Sequence, residues 1–359
     1  MSSDVPNSSK QSIPAVKLPA APLSDLVETH NAQIAYIAEG NGKLYLCHVE
    51  SRNNQLSGCS VTGFESDGAI NNSVANFVAN SAVNSADNSV VEWSPEDIEF
   101  YTINGIKYAY IASNTTIFMC TVSGDNLVNC HSTGNNYTRE LNWLPNGLKF
   151  INESGITYAY VTAFKAVYKC GLENDGNLKD CKVTGTSLLN KPIKWLPNSI
   201  TFKQINGHEY AYIAASKGLF QCRLGLNGVL ENCHQTGVSS TATKIQWHPL
   251  SVAFTQQDGG FFVYVADPNH LYVCNVNDKG ELLNCTATGL DRSGRFVYWL
   301  ARNVTFNFVN DKKYAYVVGV YNIYVCDANR SGHFTNCSIA DGLIPKTQLK
   351  WNPNSIALH

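Results

Sequence analysis

The chain has 359 residues, of which 44% are hydrophobic, 11% aromatic and only 15% charged, with 26 Lys and Arg against 28 Asp and Glu for a formal net charge of -2. That composition belongs to a packed globular protein and excludes disorder over most of the chain. The even charge balance, without a basic stripe, excludes a nucleic-acid partner, and no run approaches the 18 apolar residues of a membrane helix.

Met1 to His30 is rich in Ser, Pro and Ala and has neither a basic start nor an apolar stretch. It reads as a disordered N-terminal tail rather than a signal peptide. From residue 31 onward the chain repeats itself. All six tryptophans, Trp93, Trp143, Trp195, Trp247, Trp299 and Trp351, fall 50 to 52 residues apart. The twelve cysteines keep the same period as the pairs Cys47/Cys59, Cys120/Cys130, Cys170/Cys181, Cys222/Cys233, Cys274/Cys285 and Cys326/Cys337.

Each copy carries four short segments of strand character. The first reads Trp-x-Pro-x-x-apolar-x-Phe, as in Trp143 to Phe150, and its alternation has the period of a strand. The second is Tyr-Ala-Tyr followed by Ile or Val, the third an apolar-aromatic-x-Cys run such as Leu271 to Cys274, and the fourth runs through the second Cys to Thr-Gly. Asn104-Gly105, Ser154-Gly155 and Asn206-Gly207 join the first two segments, and Asp175-Gly176, Asn227-Gly228 and Lys279-Gly280 join the last two. These pairs supply the positive φ of tight hairpins, so each copy is a four-stranded antiparallel meander. A small sheet of this kind buries both faces only against neighbours, which makes each copy a propeller blade.

The first copy, from about Gln33 to Gly63, lacks a Trp-x-Pro segment, whereas the chain ends in an orphan one from Trp351 to Leu358. Borrowing the orphan completes blade one and removes an open sheet edge. The expected fold class is therefore all-β: a six-bladed β-propeller with four antiparallel strands per blade, closed by the C-terminal strand. It spans 31–359 and is interrupted at about 64–92 by an insertion of Asn, Ser, Ala and Val, either a docking loop or a tolerated low-complexity segment.

These repeats resemble bacterial β-propellers of the NHL and YVTN type, with Ala266-Asp-Pro-Asn-His-Leu-Tyr272 as the nearest local match. The resemblance covers about residues 31 to 359. It implies a propeller with Trp-x-Pro on the innermost strand and says little of a ligand. The paired cysteines depart from the usual pattern of that group and point to a distinct secreted subfamily.

In the four later copies ten residues separate the cysteines, and a two-residue turn at the midpoint leaves them directly opposite across a hairpin. That suits a cross-strand disulfide, each stabilising by roughly 2–3 kcal/mol in the chain-entropy model. Metal ligation would need closer C-x₂₋₄-C pairs, and the His after Cys47, Cys130 and Cys233 points to the other strand face. Six disulfides imply an oxidising space, periplasmic or extracellular.

No ring of acids, Gly-x-Ser-x-Gly or recurrent His emerges from equivalent blade positions. Glu92, Glu96 and Asp97 cluster in one blade and read as solvated loop charges, and the tryptophans read as packing. What differs between copies is the loop joining the second and third segments. From it come the candidate partner-binding residues Phe164, Lys165, Lys217, Asp267, His270 and Tyr321, with the two aromatics as interface anchors. The resulting expectation is a monomeric, non-enzymatic binding module, secreted or periplasmic, that contacts a protein or cell-surface glycan through its loop face and needs no cofactor or metal. A propeller lectin, and a hydrolase or lactonase with a channel site, are the alternatives.

Overall fold

The computed structural model describes residues 29–40, 42–63, 94–113, 116–134, 144–187, 191, 193, 195–257, 260–310, 312–340 and 352–359. The expected insertion at about 64–92 and residues 1–28 of the expected tail lie outside them.

Six antiparallel sheets follow one another round a ring, each with its four principal strands in meander order. Blade one consists of Pro353–Leu358, Ile34–Glu39, Lys43–Val49 and Leu56–Thr62, so the C-terminal strand completes the N-terminal sheet. Blade two is Pro95–Ile103, Ile106–Ser113, Ile117–Ser123 and Asn126–Thr133; blade three is Pro145–Glu153, Ile156–Ala163, Ala166–Leu172 and Leu178–Thr184. Blade four is Pro197–Ile205, His208–Ala215, Gly218–Leu224 and Leu230–Gln235; blade five is Ser251–Gln257, Gly260–Ala266, Leu271–Val276 and Leu282–Thr288. Blade six is Asn303–Val309, Lys312–Val318, Ile323–Ala328 and Phe334–Ile339. The first strands of successive blades neighbour one another around the axis, which makes them innermost. A two-residue strand, Thr29–His30, pairs in parallel with the innermost strand of blade six, so ordered pairing starts just inside the segment expected to be tail.

The Tyr-Ala-Tyr segment explains the ring. Its second Tyr, at 36, 110, 160, 212, 264 and 316, is fully buried in every blade. Each phenol donates a hydrogen bond to a backbone carbonyl in the third-to-fourth-strand turn of the next blade: Tyr36 to Asp125, Tyr110 to Gly176, Tyr160 to Gly228, Tyr212 to Gly280, Tyr264 to Gly332 and Tyr316 to Asn54. Burial pushes all six phenols up, that of Tyr36 to about 12, so each stays a protonated donor. The receiving turn must let the phenol close. At Gly280, with φ of 78°, an added Cβ would lie 2.7 Å from the Tyr212 hydroxyl.

The Phe that ends the first-strand motif packs tilted against the preceding blade's Tyr, as in Tyr110–Phe150 and Tyr212–Phe254 at 4.7 Å between centroids. At the closing seam Leu358 takes the place of that Phe in the cluster around Tyr316. Six apolar clusters result, each spanning two adjacent blades. The closing Thr-Gly adds a polar stitch: the Thr133, Thr184, Thr236 and Thr288 hydroxyls accept the backbone N–H that begins the next blade's fourth strand, at 2.7–2.9 Å. Trp195, Trp247 and Trp299 are 3–4% exposed and cover the glycine after that Thr, so they are packing residues and not sugar platforms.

All twelve cysteines form the six expected intrablade disulfides, with Cα atoms 4.0–4.1 Å apart. The pairing across the hairpin is not the direct opposition expected. A register shift accompanies every bridge. The residue before the second Cys (Gly58, Asn129, Asp180, Asn232, Asn284 or Asn336) holds φ between 50° and 56°, a bulge in the left-handed region that Gly, Asn and Asp enter most easily. Directly across from the first Cys stands Ala in five blades and Val263 in blade five.

Replacing Tyr212 by Phe leaves the Gly280 carbonyl without its partner and should cost on the order of 1–3 kcal/mol. Urea unfolding should show a lower midpoint at an unchanged slope, while Tyr298→Phe, at a 75% exposed site, should leave the midpoint in place. Equal midpoints for Tyr212→Phe and the parent would contradict this role.

Candidate functional site

Each first strand starts where its second strand ends, so the second-to-third loops and the links carrying Trp-x-Pro open on one face of the ring. Backbone hydrogen bonds tie these two sets together: Phe164 N–H donates to Leu144 O at 3.1 Å, Ser216 to Leu196 at 3.0 Å and Arg302 to Val318 at 2.7 Å. The disulfide-braced sheets beneath hold the loops in position.

The six residues singled out in sequence fall on this face in blades three to six, spread along one rim rather than gathered in a pocket. Phe164 is 47% exposed with the Lys165 ammonium 5.7 Å from its ring centroid, and Tyr321 is 68% exposed. Lys217 is exposed, and its backbone carbonyl accepts from Gln235 Nε2. His270 is exposed with its ring 5.6 Å from that of Tyr272.

Asp267 departs from expectation. It is 4% exposed, and its carboxylate accepts the N–H groups of His248 at 2.7 Å and Asn269 at 3.1 Å. Ser113 and Glu39 do the same for the residues after the first and last tryptophans, accepting from Ser94 and Asn352. Asp267 is thus one of three side chains anchoring a Trp-x-Pro link, and is not free to meet a partner. Sequence reasoning also passed over apolar neighbours on the rim. Leu144 and Leu196, each next to a Trp, are 41% and 38% exposed, and Phe296 and Tyr298 are 63% and 75% exposed.

At the channel mouth the residue after the Pro position forms a partial ring. Asn146 and Asn198 donate to the carbonyls of Pro197 and Pro249 in the next blades. Arg302 donates to Pro353 O at 3.2 Å and Asn354 Oδ1 at 2.6 Å, and Asn354 in turn donates to Glu96 Oε2 at 2.9 Å. Glu96 and Asp97 are therefore not solvated loop charges. Burial raises the Glu96 carboxyl, with Arg302 opposing the rise and Asp97 adding to it. Burial pushes Asp97 up to about 6 despite Lys149, with Glu99 contributing and the Leu148 and Ile98 amides opposing. Lys149 pairs with Glu99; although burial works against its charge, Glu99 and Asp97 hold its ammonium above the usual range. The signal for the ring was Asn in the same place, at 146, 198 and 354. The mouth can bind polar groups, but its charges largely satisfy one another. Among the described residues no group of three His, Cys, Asp or Glu is placed to hold a metal.

Among the described residues, no helix is long and apolar enough to cross a membrane. No family model matches the sequence, and no curated protein does. Solved structures with a similar course include a candidate 6-phosphogluconolactonase from Bacteroides fragilis, at 13% identity and TM-score 0.48, covering 92% of this chain and 98% of that one. A lectin from Agrocybe aegerita that recognises non-reducing terminal N-acetylglucosamine has 13% identity and TM-score 0.48, with coverage of 92% and 85%. A Lactobacillus plantarum protein has 11% identity and TM-score 0.46, with coverage of 85% and 81%. These are likenesses of course alone and carry nothing about ligand or reaction.

The titration of Asp97 has a consequence for stability. Its folded value of about 6 lies above the ordinary 3.8, so between those pH values the folded protein holds a proton that the unfolded chain has lost. Stability contributed by this group falls as pH rises through that window. Asp97→Asn removes the loss, and its unfolding free energy relative to the parent should rise by on the order of 1–2 kcal/mol from pH 4 to pH 7. A difference that stays constant with pH would contradict the buried, proton-holding Asp97.

Proposed function

We propose that the protein is a non-enzymatic binding module that meets a macromolecular partner through its Trp face. One observation carries the reading: Phe164, Tyr321, Leu144, Leu196 and Tyr298 stand exposed in the second-to-third loops and Trp-bearing links of one face, on a scaffold braced by a disulfide in every blade. Aromatic side chains on rigid supports lose little freedom on binding and bury large areas, which is why they dominate interface energetics. Lys165, Lys217 and His270 add polar contacts around them. The ring of carbonyl-directed amides at the channel mouth serves the scaffold first, which favours recognition over turnover.

Six disulfides in the structure favour an oxidising compartment, so the partner is sought on cell surfaces or in the extracellular or periplasmic space. The repeat motifs place the chain beside the NHL and YVTN propellers as a family proposal. The partner class that fits an apolar, aromatic rim of this size is protein, with a surface glycan as the other expectation.

The test uses a photo-crosslinking amino acid placed at Phe164 on the Trp face or at Leu226, an 88% exposed residue in a turn on the opposite face, with intact cells of the source as the target. A discrete crosslinked species is expected from position 164 alone, and Phe164→Ala or Tyr321→Ala in a competing protein should weaken its blocking of that species about tenfold while melting stays unchanged. Equal crosslinking from both faces, or full competition by both variants, would refute the reading.

A further inference from the structure

Where blade six meets blade one, the seam opens into a cavity of about 300 Å³. Its cause lies in the repeat register. The residue paired with each buried Tyr on the third strand is Met119, Lys169 or Gln221 in blades two to four. These long side chains cross the seam: Lys169 Nζ reaches Asn227 O, Gln221 Nε2 donates to Lys279 O at 2.7 Å, and Met119 packs on Gly176. In blade five the shorter Val273 is compensated by Phe262, which packs on Gly332 of the next turn. Blade six has Val325 in that place, too short to cross. The facing hairpin of blade one is also longer, its cysteines 12 positions apart in sequence against 11 in blades three to six.

The chemistry of the lining is specific. Lys312 and Asp327 pair at 2.9 Å, and Asn336 Nδ2 donates to the second Asp327 oxygen at 3.0 Å, so the carboxylate is occupied and the pair is neutral. Arg292 stands at the rim, set there because Asp291 bridges Cys337 on the fourth strand of blade six. It is exposed and forms no ion pair among the described residues. The cavity thus carries one surplus positive charge. Asn53, Gln55 and Ser338 line the same space, with Asn53 Oδ1 accepting the Gln55 N–H at 3.1 Å, and Val325 and Tyr314, whose ring centroid lies 4.8 Å from the Lys312 ammonium, complete the wall.

We propose that this seam is a binding site for a single acidic sugar ring, a hexuronate. An exposed guanidinium takes a carboxylate in a two-point, charge-assisted contact. The Asn53 amide N–H₂, which donates, and the Ser338 hydroxyl, which donates and accepts, suit vicinal sugar hydroxyls. An aromatic wall covers the apolar face of a ring, and the volume is at the small end of ligand sites. The site lies in the seam between blades six and one, with Arg292 reaching it from the link that leads to Trp299, and does not rest on the reading of the Trp face.

Isothermal titration of the full, oxidised chain tests it with sodium D-glucuronate, D-glucose and sodium acetate as separate probes. Glucuronate is expected to bind, with glucose and acetate each weaker by about tenfold or more, because neither offers both the charge and the hydroxyls. Arg292→Ala, at an exposed loop position, should weaken glucuronate about tenfold. Val325→Gln, which introduces the side chain that crosses the seam in blade four, should abolish the site, and a melting curve checks that it folds. Absence of heat with glucuronate, equal binding of acetate or of glucose, or unchanged affinity in Arg292→Ala would overturn the proposal.

Discussion

A phenol hydroxyl reaching across a seam to a turn carbonyl is the contact on which this ring depends. A four-stranded sheet has two faces to cover, and apolar burial alone would let neighbouring blades slide. The six Tyr-to-carbonyl hydrogen bonds are directional and, but for the part-buried Tyr36 bond, buried, so a slip of one residue would leave both a donor and an acceptor unpaired. Other repeated features serve that contact. The disulfide and its bulge fix the hairpin whose turn offers the carbonyl, Gly at that turn gives the phenol room, and the first-strand Phe packs on the same Tyr ring from the next blade.

This division of labour locates function. Repeated positions are committed to holding the ring: the buried Tyr and the cysteines in every blade, Thr133, Thr184, Thr236 and Thr288 at four seams, and Trp195, Trp247 and Trp299 among the described residues. Where a copy departs from the pattern, side chains are released. Phe164 and Tyr321 stand exposed in their loops, and Val325 leaves open a seam that Gln221 bridges elsewhere. The rim and the cavity therefore have the same origin, an interruption in a structural repeat, although they would serve different ligands.

Much of the fold was legible in sequence because periodicity reports it directly. The spacing of Trp and Cys counted the blades, the turn dipeptides ordered the strands, and the orphan Trp351 segment foretold closure. The bulge at each disulfide was equally present, as Gly, Asn or Asp before every second Cys, but its meaning depends on backbone φ. Asp267 stood out in sequence because its loop differs between copies; its equivalence to Glu39 and Ser113 as an anchor emerges only when the register aligns them. Glu96 and Asp97 were misjudged because their partners Arg302, Asn354 and Lys149 come from other blades. The cavity was illegible because it results from a missing side chain.

The central claim is that each blade is stapled within itself so that its turn can receive the preceding blade's Tyr. Peptide-level disulfide mapping of the unreduced protein, digested at acidic pH to prevent exchange, tests it most directly. Six intrablade linkages are expected, Cys47–Cys59, Cys120–Cys130, Cys170–Cys181, Cys222–Cys233, Cys274–Cys285 and Cys326–Cys337, with no alkylatable thiol before reduction. Linkages between blades, or free thiols in the folded protein, would contradict it.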